Sequence, residues 1–192
     1  MLLLIMVNTS PKISIILPNY NHAFFLKQRL ESIFNQTYEN IEVILLDDAS
    51  KDNSLKTLKK YESHSKTIQF IVNAQNSGSP FKQWEKGLHY ATGEYVWIAE
   101  SDDFAAIHFL EQLVHKIDSE NIGIIYTQSI DIDGQGKILK DRLEYTSVFY
   151  PNIWTKGFKM NGKIFIELYM SLKNVIPNVS AVLIKREALV KR

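Results

Sequence analysis

Cysteine is absent from the 192 residues. That one absence removes disulfides, thiolate catalysis, cysteine-ligated zinc and iron–sulfur clusters together, and it fits a reducing compartment. A surplus of one charge is missing too: Lys+Arg number 22 and Asp+Glu 21, a net of +1. Proteins that hold nucleic acid through its phosphates carry a strong basic excess, so no nucleic-acid partner is expected. No apolar run is long enough to span a bilayer. Met1-Leu-Leu-Leu-Ile-Met-Val7 is too short and lacks the basic flank and cleavage site of an export signal. It reads as a start-site extension or an extra edge strand, with a membrane-surface contact as the second reading. Without an export signal, the sequons at Asn8, Asn35 and Asn178 are chance matches.

Several chemistries lose their anchor in the same way. There is no Gly-x-x-x-x-Gly-Lys-Ser/Thr phosphate loop, no Gly-x-Gly-x-x-Gly fingerprint and no Gly-x-Ser-x-Gly elbow. Asp133-Gly-Gln-Gly-Lys137 is a turn. His22, His64, His89, His108 and His115 show no His-Glu-x-x-His spacing and read as surface or core residues.

What is present is core-forming material: 45% of residues are hydrophobic and 22% charged, enough for one domain or one domain plus part of a second. Apolar runs at 13–18, 41–46, 68–72, 95–99 and 122–126 alternate with helical patterns. Leu26, Leu30, Ile33 and Phe34 share one helix face, as do Phe81, Trp84, Leu88 and Ala91. Ser79 and Pro80 suit the start of that second helix, and Gly93 its stop. Strand–helix alternation of this kind predicts an α/β, doubly wound, mostly parallel sheet flanked by helices. After about Ser129 the rhythm changes: a hairpin around 133–137, an aromatic irregular stretch at 145–160 suited to a loop over a site, a helix at 163–172, a strand at 179–184 and a helix from Arg186.

Polar clusters directly follow three strands: Pro18-Asn-Tyr-Asn21, Asp47-Asp-Ala-Ser50 and Glu100-Ser-Asp-Asp103. In an open parallel sheet these fall on the carboxyl edge, where ligands collect. Right-handed crossovers favour the strand order 3-2-1-4, which places both acidic clusters beside one cleft. Hard divalent cations suit such oxygen ligands. Set against this, Asp52, Asp102 and Asp103 stand before helices and could be simple caps. Tyr20 could stack on a base or merely pack, Lys82 could meet a phosphate or merely be solvated, and Trp84 reads as core.

Taken in order, Ile13-Ser-Ile-Ile-Leu-Pro-Asn-Tyr-Asn21, Leu30-Glu-Ser-Ile-Phe-Asn-Gln-Thr-Tyr38, Ile41 through Asp52, Asn76-Ser-Gly78 and Gly87-Leu…Ala91-Thr-Gly-Glu-Tyr-Val96 into Glu100-Ser-Asp-Asp103 resemble the family-two inverting glycosyltransferases of GT-A fold. The resemblance covers roughly residues 12–130. It implies a nucleotide-sugar donor, UDP-linked by default with dTDP and GDP open, and a glycan or lipid-linked acceptor such as a growing surface polysaccharide. It implies that Pro18 and Tyr20 line the base pocket, Asp48 accepts a hydrogen bond from the base, Asp102 lies near the ribose and Asp103 ligates Mn2+ or Mg2+. Two positions depart from the family pattern: Glu100 replaces the usual Asp, and Trp84-Glu85 the usual Arg-Asn, which leaves Lys82 as the substitute diphosphate contact. Val182 through Leu189 resemble the segment before the family's catalytic-base motif, so the base is expected beyond Arg192, with Asp131 and Asp133 as unsupported substitutes.

The expected organisation is an extension at 1–11, a donor-binding subdomain at 12–130 and the start of an acceptor-side subdomain at 131–192. The expected location is cytoplasmic, with the inner membrane face as a variant. The rival functions are a catalytically silent nucleotide-sugar-binding module and a sugar-nucleotidyltransferase. The latter needs a glycine-rich loop where Pro18-Asn-Tyr-Asn21 stands.

Overall fold

Seven consecutive residues of Ile13–Asn19 are buried, as are all seven of Ile41–Asp47. Burial on both faces is what a near-continuous apolar strand demands, and it places these two strands, β1 and β2, in the interior of the sheet. The computed structural model describes residues 10–118 and 121–190. The apolar segment Met1–Val7 and the Asn8 sequon lie outside the described residues.

From β1 the chain runs through helix α1 (Ala23–Phe34), β2, α2 (Ser54–Leu58), β3 (Thr67–Val72), α3 (Pro80–Tyr90), β4 (Tyr95–Ile98) and α4 (Phe109–Val114). Three short strands follow: β5 (Ile124–Tyr126), β6 (Ile130–Ile132) and β7 (Ile138–Asp141). Helix α5 (Gly162–Phe165), strand β8 (Val182–Lys185) and helix α6 (Arg186–Val190) complete it. The main sheet has the order β3-β2-β1-β4-β8-β5. The first four strands are parallel, with β1 between β2 and β4, and they take the expected order. Strand β8 is antiparallel to both β4 and β5. The β6–β7 hairpin stands apart as a two-stranded sheet.

Alternation along β1 divides the core. Ile13, Ile15 and Leu17 face α1, packing with Leu26, Leu30 and Ile33. Ile16 faces α3 with Ile44, Leu46 and Ile98, against half-buried Trp84 and Leu88. Phe81 does not join them; it stays 67% exposed at the start of α3, edge-on to Trp84. Among the described residues no helix is long and apolar enough to cross a membrane.

Gly93 is needed for a different reason than expected. Helix α3 ends at Tyr90 with Ala91 in an extended conformation, so Gly93 is not its left-handed cap. A Cβ at Gly93 would lie 2.6 Å from the Ser14 nitrogen and 2.7 Å from the Lys12 oxygen. The Gly93 N–H also donates to Ser14 Oγ at 2.8 Å, and Ser14 in turn donates to buried Glu42. Backbone against backbone cannot give way, so Gly93→Ala should cost about 1–3 kcal/mol, read as a lower urea midpoint at unchanged slope. Ser79 likewise precedes α3 without its side chain capping it, while Pro80 takes the first helical position as expected.

The aromatic stretch at 145–160 is irregular, but it does not cover the cleft. Its rings gather around buried Trp154, whose indole N–H donates to Tyr126 Oη at 2.7 Å. Phe149 and Tyr169 lie at 5.5 and 5.0 Å from the Trp154 ring. The expected helix at 163–172 is a turn of α-helix continued as a π-turn over Ile166–Met170. The expected strand at 179–184 begins as a 3-10 turn, Val179–Ala181, before β8.

Candidate functional site

Asn19 and Asp47 are in register at the ends of β1 and β2. Their side chains join there: Asn19 Nδ2 donates to Asp47 Oδ1 at 2.9 Å and to Ser50 Oγ at 3.1 Å. Both strands then turn through left-handed residues, Asn21 and Ala49. The Asn21 N–H donates to Ser50 Oγ, and the Lys51 N–H to Asn21 Oδ1. Asp52 accepts from the Ala23 and Ser54 amides, both at 2.9 Å, so it serves the starts of α1 and α2. Asp47 and Asp52 are thus fully engaged in shaping the edge.

Asp48 points the other way. It is 4% exposed and accepts from Asn73 Nδ2 at 2.5 Å, Asn76 Nδ2 at 3.1 Å, Ser77 Oγ at 2.7 Å and the Ser77 N–H at 2.9 Å. This one carboxylate organises the loop between β3 and α3. Behind it, the Lys86 ammonium donates to Asn73 Oδ1.

Between that loop and the ends of β1 and β4 lies a cleft of about 380 Å³. Pro18, Tyr20 and Asp48 line it, with Glu100 and Ser101 from the segment after the neighbouring strand β4. Tyr20 is 40% exposed, leaving its ring free at the mouth. Lys82 is not in the wall; its ammonium donates to the Ser77 carbonyl at 3.1 Å. His22, which sequence reasoning left as surface or core, lines the cleft and bonds Ser101 Oγ through Nδ1 at 2.7 Å.

The third cluster is a tight turn closed by the Asp103 N–H donating to the Glu100 carbonyl at 3.2 Å. Asp102 and Asp103 do not cap a helix: α4 starts six residues later, with His108 at its cap position. Neither carboxylate accepts a hydrogen bond from the described residues, and neither lines the cleft wall directly. Glu100 does line it, held by the Trp84 indole N–H at 2.6 Å. Burial pushes the Glu100 carboxyl up, and Asp102 and Asp103 push it further. Beneath the turn lies Arg29, 0% exposed, its guanidinium 4.7 Å from the Trp97 ring centre. Burial pushes Arg29 down to about 10, against the pull of Asp103, Glu100 and Asp102.

No group of three or more His, Asp or Glu side chains among the described residues forms a ready-made cage for a metal. The donor set instead fits a cation held by one or two carboxylates and completed by phosphate oxygens and water, the habit of Mg2+. Asp103, half-buried and unpaired by hydrogen bonds, is suited to that. Asp131 and Asp133 are occupied elsewhere. Asp131 accepts from Arg142 Nε at 2.7 Å, and Asp133 accepts from the Gln135 and Lys137 amides of the hairpin turn.

Residues 14–184 match the family described as Glycosyl transferase family 2. A putative glycosyltransferase, EpsE of Bacillus subtilis, is 38% identical over 153 residues, which is 79% of this chain and 54% of that protein. Glycosyltransferase GlyG of Streptococcus pneumoniae is 31% identical over 116 residues, 60% of this chain and 38% of its own length. The chain therefore spans about half or less of the curated relatives it matches. Staphylococcus aureus TarS 1-349 in complex with UDP superposes with a TM-score of 0.59 at 28% identity, over 65% of this chain and 37% of that one. The mannosyltransferase PcManGT of Pyrobaculum calidifontis, in complex with GDP-Man and Mn2+, gives 0.56 at 25% identity, over 62% and 36%.

Proposed function

The chain belongs to glycosyl transferase family 2 and carries a GT-A-type sheet, and from that premise we propose that its carboxyl-edge cleft binds the donor of a sugar transfer. The observation that carries this is the convergence of Pro18, Tyr20, Asp48 and Glu100 on one cleft between β1 and β4. The donor is a nucleoside-diphosphate sugar, the class of the GDP-Man in the PcManGT complex, whose nucleotide part matches in kind the UDP of the TarS complex. The acceptor is a glycan or lipid-linked glycan, and transfer is an inverting, single in-line displacement.

Pro18 and Tyr20 hold the base, the Tyr20 ring supplying an apolar face. Asp48 shapes the pocket floor and offers its carboxylate to the base. Asp102 lies at the ribose, and Asp103, with the diphosphate oxygens, would hold the divalent cation. When bound, that cation offsets the negative charge that builds on the departing nucleoside diphosphate. Lys82 stands outside the cleft wall and would reach the outer phosphate only by releasing the Ser77 carbonyl. No carboxylate among the described residues takes the part of the base that deprotonates the acceptor. Residues 12–130 form the donor side on this reading, and 131–192 begin the acceptor side.

Calorimetric titration with UDP and GDP, with and without Mn2+, tests the donor site. Affinity should rise at least about tenfold with Mn2+, near 1.4 kcal/mol, and Asp103→Ala should abolish that rise. Equal affinity with and without metal, in both proteins, would assign Asp103 to the turn alone.

A further inference from the structure

The cleft assigned to an anionic donor has an acidic wall. Asp48 and Glu100 line it, and no lysine or arginine among the described residues does. Lys82 is tied to the Ser77 carbonyl outside the wall, and Arg29 is sealed beneath the turn that carries Asp102 and Asp103. A diphosphate in this cleft needs protein donors as well as a cation, because like charges close together repel strongly where water is scarce. Among the described lining residues, His22 is the one whose side chain can carry a positive charge.

Two contacts fix that ring. Its Nδ1 is bonded to Ser101 Oγ at 2.7 Å, and its edge stands against Phe25 with ring centres 6.2 Å apart. Ser101 is 1% exposed and directly precedes Asp102 and Asp103, so the imidazole sits beside the acidic turn. The other ring nitrogen, Nε2, takes no hydrogen bond from the described residues. Starting the helix does not explain the histidine. It occupies the cap position of α1, but its side chain makes no capping bond there, and Asp52 receives the Ala23 amide instead.

Resting on the donor-site reading above, we infer that His22 binds the diphosphate of the donor, donating from Nε2 to a phosphoryl oxygen, and that Ser101 is the positioning residue that holds the ring for it. An ionised diphosphate offers only acceptors. It therefore selects the form in which the Ser101 hydroxyl donates to Nδ1 and the ring hydrogen sits on Nε2, or the form with both nitrogens protonated. Either way the bond is assisted by charge, and it strengthens as negative charge builds on the departing nucleoside diphosphate. The nucleoside itself makes no use of His22.

The test is calorimetric titration with UDP and GDP, with and without Mn2+, each nucleotide compared with its nucleoside measured as a competitor. The variants are His22→Ala, His22→Gln and Ser101→Ala. His22→Ala should weaken the tighter nucleotide by at least about tenfold, with or without metal, and leave its nucleoside within about twofold. His22→Gln keeps an N–H on a side chain of similar reach and should recover part of the loss. Ser101→Ala should cost about threefold, and adding it to His22→Ala should cost nothing more, because Ser101 acts through the ring. Nucleotide and nucleoside weakened alike would make His22 a brace for the turn and overturn the inference. Unchanged nucleotide affinity also overturns it, as does a loss confined to titrations with Mn2+, which would place the effect on the acidic turn. Failure of the native chain to bind either nucleotide removes the donor-site reading, and the inference with it. Should His22→Ala not fold, Ser101→Ala and His22→Gln carry the same comparison of nucleotide with nucleoside.

Discussion

Replacing Arg29 with methionine is expected to stabilise the fold, by about 1–4 kcal/mol at neutral pH. Arg29 is fully buried, yet among the described residues its side chain makes one hydrogen bond, from Nη2 to Ser180 Oγ at 3.3 Å. Its Nε and Nη1 have no partner among the described residues. The Trp97 ring and the carboxylates of Asp103, Glu100 and Asp102 attract the guanidinium, but desolvation outweighs them and holds it at about 10, below the ordinary guanidinium value. A depression of that size corresponds to about 3 kcal/mol. The unfolded chain keeps this proton up to a higher pH than the folded chain, so stability climbs as pH rises above about 10 toward the ordinary guanidinium range. Below that window the penalty is complete. Methionine fills most of the same volume without it, and thermal unfolding should show a midpoint raised by about 2–4 °C for each kcal/mol gained. The rise in stability above pH 10 should shrink in the variant. A midpoint lowered by several degrees would mean that attraction to the acidic turn outweighs burial. The native chain keeps the charge because the turn gathers three carboxylates, and Arg29 offsets their mutual repulsion from below. Without it, the Glu100 carboxyl should rise further than burial already takes it.

The sequence pattern already contained Arg29: residues 26, 29, 30 and 33 lie on one helical face, and three of them are apolar. Charge argued for solvent and spacing for the core, and spacing won because Trp97 and Ser180 receive the guanidinium. Strands β1 to β4 were legible for the same kind of reason, since each is a local apolar run, and right-handed crossovers leave little freedom in their order. The sheet's other half was not. Ile124–Tyr126 pairs only with β8, more than fifty residues later and in the opposite direction, and no local pattern encodes such a partner. Glycine was misread at Gly93 because helix stops and tight backbone approaches place the same residue at the same spot. At the site, Pro18, Tyr20 and Asp48 carried recognisable motif positions. His22 was invisible until Ser101 was found beside it.

The largest loss is expected from Asp48→Ala. That substitution removes the acceptor for the Asn73 and Asn76 amides, the Ser77 N–H and the Ser77 hydroxyl in a single step. Hydrogen bonds to an ionised group contribute about 1.5–3 kcal/mol each, and water at the cleft mouth can replace only part of them, so a total of about 3–5 kcal/mol is expected. Urea unfolding measures that total. Hydrogen exchange locates it: the Ser77 and Gly78 amides should lose protection while the β1 and β2 amides exchange only as fast as global unfolding permits. Nucleotide affinity should fall by at least about a hundredfold, near 2.7 kcal/mol, because the loop that carries Asn76 and Ser77 forms one wall of the cleft. Asp48→Asn separates the two roles. It keeps one carbonyl oxygen for the Ser77 N–H but turns an NH2 group toward donors, so the loop should loosen less than in the alanine variant. The base, left with an acceptor of half the capacity and no charge, should still be lost. If Asp48→Asn kept native nucleotide affinity while Ser77 exchanged freely, the carboxylate would be a brace for the loop and nothing more. If it kept the loop and lost the nucleotide, the carboxylate would be the reader of the base that its position beside Pro18 and Tyr20 implies.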